Sequence, residues 1–375
     1  MSGAARLAEV PAMVNAHSHA FQRDLRGIAE RPGTPDDDFW SWRTEMFRLA
    51  GALEPETMRD VAGRVYAEMA AAGYGAVGEF HYVHHRPDGT PYETPNAMAI
   101  AVAEAAVAAG LRIVLLPAAY HRNGWDGADR PPEPGQRRFC DPDVATFLRR
   151  VDDLRAWAAD RDGVTVGLAA HSVRAVPASW LEAIGAHARE HGLVLHVHAH
   201  EQRRELAECD AEHGCTPIEL LARCGFLGER TSVVHGIHVT DGDIDLLARS
   251  GSIVVSCPTT EGNLGDGFLP ALRYRDAGVR LAIGSDSQVR VDPFEEVREL
   301  ETGARREGQT RHALLAATGD LWGELVANGC AALGLTDAGT VTVDLDHPDL
   351  RGVAEADLPY ALATCASAGV VARAA

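Results

Sequence analysis

The seven cysteines, at residues 140, 209, 215, 224, 257, 330 and 365, contain no CxxC pair. They are odd in number and scattered, so neither a disulfide framework nor a thiolate zinc knuckle is expected, and a reducing cytoplasm is the simpler home. The chain also lacks an apolar run long enough to span a bilayer, and it lacks a charged leader followed by a short hydrophobic stretch. A soluble, unexported protein is therefore expected. Positive charge is scarce. The 35 basic residues face 54 acidic ones, for a formal net charge of −19, which would repel nucleic acid and anionic membrane surfaces. An anionic small molecule would need locally placed arginines. No Gly-rich phosphate loop follows the first apolar run, which weakens the reading of an open doubly wound sheet. Internal repeats and low-complexity tracts are absent as well.

What is present is a regular alternation. The 375 residues are 46% hydrophobic, enough to fill a substantial core. Amphipathic helical segments such as "PETMRDVAGRVYAEMAAAG" and "PNAMAIAVAEAAVAAG" stop at glycines and give way to short β-branched runs. Eight such runs occur: "AMVNAHSHA", "GAVGEFHY", "RIVLLPAAYH", "VTVGLAAHS", "LVLHVHAHE", "TSVVHGIH", "SIVVSCPTT" and "VRLAIGSDS". Near-continuous apolar strands joined by helical crossovers point to a buried parallel sheet, and eight β/α units to a TIM (β/α)8 barrel over residues 12–335. Residues 1–11 and 336–375 read as a small, apparently truncated β-rich appendage, the remnant of a β-sandwich. Residues 31–53, with "DDDFWSWRTEMFR", and the Gly/Pro-rich loop 120–141 follow strand ends and are expected to cap the barrel mouth; for the loop, a tolerated surface insertion is the alternative.

Each run is apolar at its start and ends in His, Glu, Asp, Ser or Arg. In a barrel these ends open on one face, where active sites are built. Residues i and i+2 of a strand share a face, so His17 and His19 can both reach one cation. His198 ends the fifth run with Glu201 three residues on, and Asp286 ends the eighth. Three imidazoles and a carboxylate suit a divalent ion such as Zn²⁺, one per chain, that keeps a position open for water. His235, ending the sixth run, adds a further titratable group. His84, His85, His121, His213 and His238 read as hydrogen-bonded structural residues; His196 lies deeper on the face of His198, and His200 points the other way if the strand continues.

The HxH of the first strand, His198 on the fifth, His235 on the sixth and Asp286 on the eighth resemble the amidohydrolase superfamily of metal-dependent barrels. The fourth run, "LAAHS", offers no lysine to carboxylate, so the resemblance is to the mononuclear deaminase branch, where an HxxE motif, here His198 to Glu201, follows the fifth strand. Within that branch "NAHSHAFQRDLRG", "DDFWSWR", "GEFHYVHH", "AAHSVRAVP", "CPTTEGNLGDG" and "IGSDSQVRVDPFEEVRELE" are similar to the formimidoylglutamate deiminases. That resemblance implies hydrolysis of a linear amidine, N-formimino-L-glutamate, with Glu201, His235 and Asp286 as catalytic groups. It further implies Gln22, Arg43, Tyr82, His171 and Arg174 around the substrate, the two arginines holding its two carboxylates. Other divalent ions than zinc are compatible with this ligand set, and barrels of this branch are often homodimers. Arg43 has an alternative reading as a cation–π partner of Trp40 or Trp42. The rival functions are a deaminase of the same superfamily acting on a nucleobase or triazine-like ring, and a catalytically dead, metal-stabilised binding module.

Overall fold

A computed structural model describes residues 6–31 and 39–372; the "DDD" of the expected first cap lies outside them. The strands are β1 (Leu7–Pro11), β2 (Met13–Ser18), β3 (Tyr74–His81), β4 (Arg112–Ala119), β5 (Val164–Val166), β6 (Leu168–Ser172), β7 (Leu195–Ala199), β8 (Thr231–His235), β9 (Ile253–Ser256), β10 (Arg280–Ile283) and β11 (Thr340–Asp344). The helices are α1 (Phe39–Gly51), α2 (Pro55–Ala72), α3 (Ala97–Ala108), α4 (Val144–Ala158), α5 (Ala178–His191), α6 (Arg203–His213), α7 (Pro217–Arg223), α8 (Asp241–Ser250), α9 (Pro258–Leu264), α10 (Ala271–Asp276), α11 (Pro293–Gly308), α12 (Leu314–Thr318), α13 (Leu321–Leu333) and α14 (Leu358–Thr364).

Helix α2 illustrates how the local sequence sets an element. Glu54 and Thr57 close a reciprocal capping box, Pro55 takes the first turn, and Gly73 ends the helix at φ 103°, a conformation that costs a glycine little. Met58, Val61, Ala62, Val65, Tyr66 and Met69 form the buried stripe, at the spacing of one helical face.

Strands β2 to β10 run parallel in the order β2-β3-β4-β6-β7-β8-β9-β10, with β5 paired to β4 alone. The fourth unit therefore has a broken strand. The break is at Gly167, where a Cβ would sit 2.6 Å from Val194 Cγ2 and 2.8 Å from Leu116 Cδ2. The barrel closes between its first and last strands through a parallel bridge from Ser18 to Asp286. Asp286 N and Ser285 N donate to the His17 carbonyl at 3.0 and 3.1 Å, and His19 N donates to the Asp286 carbonyl at 2.9 Å. Gly284 permits this approach, since a Cβ there would lie 2.7 Å from both His17 Cβ and His17 O. The eight-unit TIM barrel expected from the apolar runs is the observed fold.

The chain ends pair β1 with β11 in an antiparallel ladder from Leu7–Asp344 to Pro11–Thr340, the small sheet expected of the appendage. After β11 the chain forms α14, which packs on α11 and α13, and Arg298 Nη1 donates to Ala366 O at 2.8 Å. No helix among the described residues is long and apolar enough to cross a membrane.

Candidate metal centre and active site

His17 and His19 at the end of β2, His198 near the end of β7 and Asp286 just after β10 meet at the C-terminal mouth of the barrel. One ligand atom from each lies within 4.8 Å of all the others, and all four residues are buried. His17 Nε2 is 3.1 Å from His198 Nε2, and Asp286 Oδ1 is 3.4 Å from His17 Nε2 and 3.3 Å from His19 Nε2. The Nδ1 atoms of His19 and His198 each lie 2.8 Å from a carbonyl oxygen, those of Phe80 and His171. A carbonyl only accepts, so both Nδ1 atoms carry the proton, and the two Nε2 lone pairs face inward. Burial, then the crowding of neighbouring imidazoles, holds His17 and His198 well below the usual histidine range. Neutral imidazoles with converging lone pairs and a carboxylate are the donor set of a divalent cation, and the buried His17 Nδ1 has no hydrogen-bond partner among the described residues. The residues fit such an ion.

A polar network beneath the ligands fixes them. Asn15 Nδ2 donates to Ser285 Oγ at 2.6 Å, Ser285 Oγ to Gln288 Oε1 at 2.8 Å, Gln288 Nε2 to Ser18 Oγ at 2.9 Å, and Ser18 Oγ to Glu79 Oε2 at 2.6 Å. Every member is buried, and each hydroxyl both donates and accepts, so the network is satisfied in one direction throughout. Burial pushes the Glu79 carboxyl up to about 7 against the hydrogen bonds from Ser18 and Ala20. Asp286 and Gln288 hold positive φ values of 46° and 62°, a strained backbone that the surrounding bonds sustain.

His235, at φ 73°, stands beside this cluster. Its Nε2 is 3.9 Å from Glu201 Oε1 and 4.0 Å from Asp286 Oδ2, and its Nδ1 is 3.4 Å from Glu261 Oε1. Burial alone would lower the His235 imidazole, but the carboxylates of Glu201, Glu261 and Asp286 outweigh it and raise it to about 10; a divalent ion nearby would pull that value back down. Burial raises Glu201 above the usual carboxyl range, opposed by His235 and Arg174. The candidates Glu201, His235 and Asp286 are thus brought together. Glu261 was not singled out as a site residue. It lies on α9, five residues past the end of β9 at Ser256, and takes bonds from Cys257 N at 2.7 Å and Ser256 Oγ at 2.9 Å. Those bonds fix its carboxylate against His235 Nδ1. The signal was an acid inside "CPTTEGN", but only the turn into α9 reveals its direction.

Around the mouth, a cavity of about 50 Å³ is lined by Gln22, Arg43, Tyr82, His171 and Arg174 together with His19, His198, Glu201, His235 and Asp286. All five substrate-shell candidates therefore line the cavity onto which His19, His198 and Asp286 open. Gln22 Nε2 donates to Tyr82 OH at 2.8 Å, while Gln22 Oε1 is buried without a hydrogen-bond partner among the described residues. Arg43 and Arg174 also line an adjoining cavity of about 340 Å³ with Trp40, Arg130 and Arg204. Arg43 makes the cation–π contact of its alternative reading, its guanidinium 5.4 Å from the Trp40 ring and 4.7 Å from that of Phe47, and Nη2 donates to Tyr120 OH at 3.0 Å. Loop 120–141 contributes Tyr120, Arg122, Asn123, Gly124, Arg130, Glu133 and Gly135 to the wall of this larger cavity, and Phe39, Trp42 and Met46 of α1 line the smaller one.

Most of the remaining histidines hold structural bonds, but the Nε2 of His213, expected to be hydrogen-bonded, has no hydrogen-bond partner among the described residues. His196 Nε2 is 2.9 Å from Ala332 O, deep in the barrel. His200 ties the loop after β8 to the start of α7, its Nδ1 2.8 Å from His238 O and its Nε2 accepting from Ile218 N at 3.2 Å. His84 Nε2 meets Ala118 O at 2.9 Å, and His85 Nε2 meets Asp141 Oδ1 at 3.3 Å. The sequence contains no lysine anywhere, so no carbamylated lysine can bridge a second metal here.

The profile of the amidohydrolase family matches residues 10–344. The chain belongs to the amidohydrolase family. Among curated proteins, this amidohydrolase is 40% identical over 339 residues to the formimidoylglutamate deiminase of Pseudomonas aeruginosa, covering 88% of this chain and 74% of that one. It is 32% identical over 363 residues to a 5-methylthioadenosine/S-adenosylhomocysteine deaminase of Halobacterium salinarum, covering 92% and 74%. Among solved structures, an amidohydrolase from Brucella melitensis superposes with a TM-score of 0.87 at 35% identity, covering 97% of this chain and 84% of that one. An adenosine deaminase from Xanthomonas campestris with bound zinc shares the fold, with a TM-score of 0.79 at 24% identity over 97% and 78%.

Proposed function

We propose that this amidohydrolase is a zinc-dependent deiminase of histidine degradation in the cytoplasm, converting N-formimino-L-glutamate and water to N-formyl-L-glutamate and ammonia. The observation that carries the substrate is the convergence of Arg43 and Arg174 on the cavity lined by His19, His198 and Asp286 of the cluster. A substrate with two carboxylates would be repelled by a protein of net charge −19 unless guanidinium forks met it at the site. The relative at 40% identity, a formimidoylglutamate deiminase, supports the same reading.

A divalent ion held by His17, His19, His198 and Asp286 would lower the pKa of a water molecule toward neutrality and so supply a nucleophile at physiological pH. The chain's own groups then divide the proton work. Asp286 Oδ2 takes the proton of the attacking water. His235 Nε2, held by Glu261 through Nδ1, donates toward the oxygen that adds to the formimino carbon. Glu201, whose carboxyl burial keeps protonated above the usual range, delivers a proton to the departing nitrogen, so that the C–N bond breaks to ammonia. Gln22 Oε1, a buried acceptor without a partner among the described residues, suits an amidine N–H. Ammonia release from N-formimino-L-glutamate and N-formimino-L-aspartate, measured beside a panel of aminopurines and aminotriazines with elemental analysis of the same sample, tests the proposal. Turnover of the rings and none of the linear amidines would overturn it.

A further inference from the structure

Cys257 follows β9 and is wholly buried. Its Sγ, one imidazole nitrogen of His235 and one carboxylate oxygen of Asp286 all lie within 4.8 Å of one another. This trio shares only Asp286 with the cluster of His17, His19 and His198. Glu201 Oε1 at 3.9 Å and Glu261 Oε1 at 3.4 Å flank the same imidazole, so three carboxylates crowd a small region. Nothing in the proposed hydrolysis uses the thiol. Sulfur, imidazole and carboxylate together are a donor set for a borderline or soft divalent ion, and a poor one for Mg²⁺ or Ca²⁺.

We infer that Cys257, His235 and Asp286 form a second, inhibitory cation site selective for thiophilic ions such as Zn²⁺ and Cd²⁺. Binding forms a sulfur–metal bond and releases the thiol proton to solvent. It also ties up the His235 imidazole and draws on the Asp286 carboxylate, both of which turnover requires, so excess ion silences the enzyme without displacing the first. The inhibition rests on the deiminase reading; the binding does not.

The test adds Cd²⁺, Zn²⁺ or Mg²⁺ stepwise to the purified holoprotein, with Cys257 intact and with Cys257→Ser. Three readouts are followed: ions retained per chain after desalting, the ultraviolet thiolate-to-cadmium charge-transfer band, and ammonia release. Asp152, His187 and His191 form another cluster that could take added ion, so both proteins carry His187→Ala and His191→Ala. The other six thiols are common to both proteins, so the difference between them is read. The expected result is a further equivalent of Cd²⁺ in the Cys257 protein with a band that Cys257→Ser removes, a loss of activity of more than tenfold with Zn²⁺ or Cd²⁺ and none with Mg²⁺, and a serine variant that keeps its first ion and resists inhibition. Equal inhibition of both proteins, or no band dependent on Cys257, would overturn the site. Should neither protein act on any substrate, the deiminase reading fails while the band still decides the site. Cys257→Ala replaces the serine variant if that one loses its native circular dichroism.

Discussion

Asp141→Asn should destabilise the protein strongly at neutral pH and hardly at all in acid. Asp141 closes loop 120–141, its amide donating to Tyr120 O at 3.3 Å, and its carboxylate grips Arg150 of α4 with both oxygens, at 3.1 Å from Nε and 2.7 Å from Nη2. The pair is nearly inaccessible, 1% exposed for Asp141 and 9% for Arg150. Burial works against the charged carboxylate, yet the His85 hydrogen bond and the Arg150 guanidinium hold it well below the usual range. Removing one partner of a buried pair costs about 3–5 kcal/mol because the other charge stays behind. With an unfolding entropy of about 0.8 kcal/mol/K for a chain of this length, that is a drop in Tm of roughly 4–6 °C. A carboxylate whose folded pKa is depressed stabilises fully above its unfolded value of about 3.9, and that contribution is lost as pH falls below it. The deficit of the variant, read by calorimetry or by circular dichroism melts, should therefore be full at pH 7 and shrink below about pH 4. The double change Asp141→Leu with Arg150→Met should cost less than Asp141→Asn alone. A Tm within a degree of wild type at pH 7, or a deficit independent of pH, would refute the reasoning.

His198→Ala should lose both bound metal and turnover, and retention of a full equivalent of metal by elemental analysis would remove His198 from the ligand set. Arg174→Met should raise KM for N-formimino-L-glutamate by roughly 100-fold, about the worth of one or two charge-assisted hydrogen bonds, with metal content unchanged. Glu261→Gln keeps the shape but weakens the hold on His235 Nδ1; kcat should fall by about 10–100-fold with KM and metal content preserved, whereas a changed KM alone would place Glu261 against the substrate instead.

Much of this site could be read directly from residue spacing. His17, His19, His198, His235 and Asp286 were visible because parallel barrel strands bring all their C-terminal ends to one face, so a polar residue at the end of an apolar run already has an address. Glu261 was not visible because its direction is set by the turn into α9, and Glu79 because it lies within β3 and its partner, Ser18 of β2, is fixed only by the strand pairing. The Asp141–Arg150 pair was hidden for a similar reason: one partner closes a loop, the other lies on the following helix, and nothing in either segment marks burial. The split of the fourth strand at Gly167 was equally silent in the run "VTVGLAAHS", since a glycine in a strand reads as weakness until the side chains of Leu116 and Val194 are seen to occupy its Cβ position.

The closure between β2 and β10 would give an ion held by His17, His19, His198 and Asp286 a mechanical duty. Asn15 and Ser285, bonded side chain to side chain, are 270 positions apart in sequence, and the hydrogen bonds that join the two strands come from residues adjacent to, or identical with, three of the four ligands. An ion gripping both strands would act as a clasp on the long loop between them, adding to the hydrogen bonds that already close it. Stripping it with a chelator should loosen the cylinder there first, so that the amides of His19, Ser285 and Asp286 exchange deuterium ahead of those in β7 and β8.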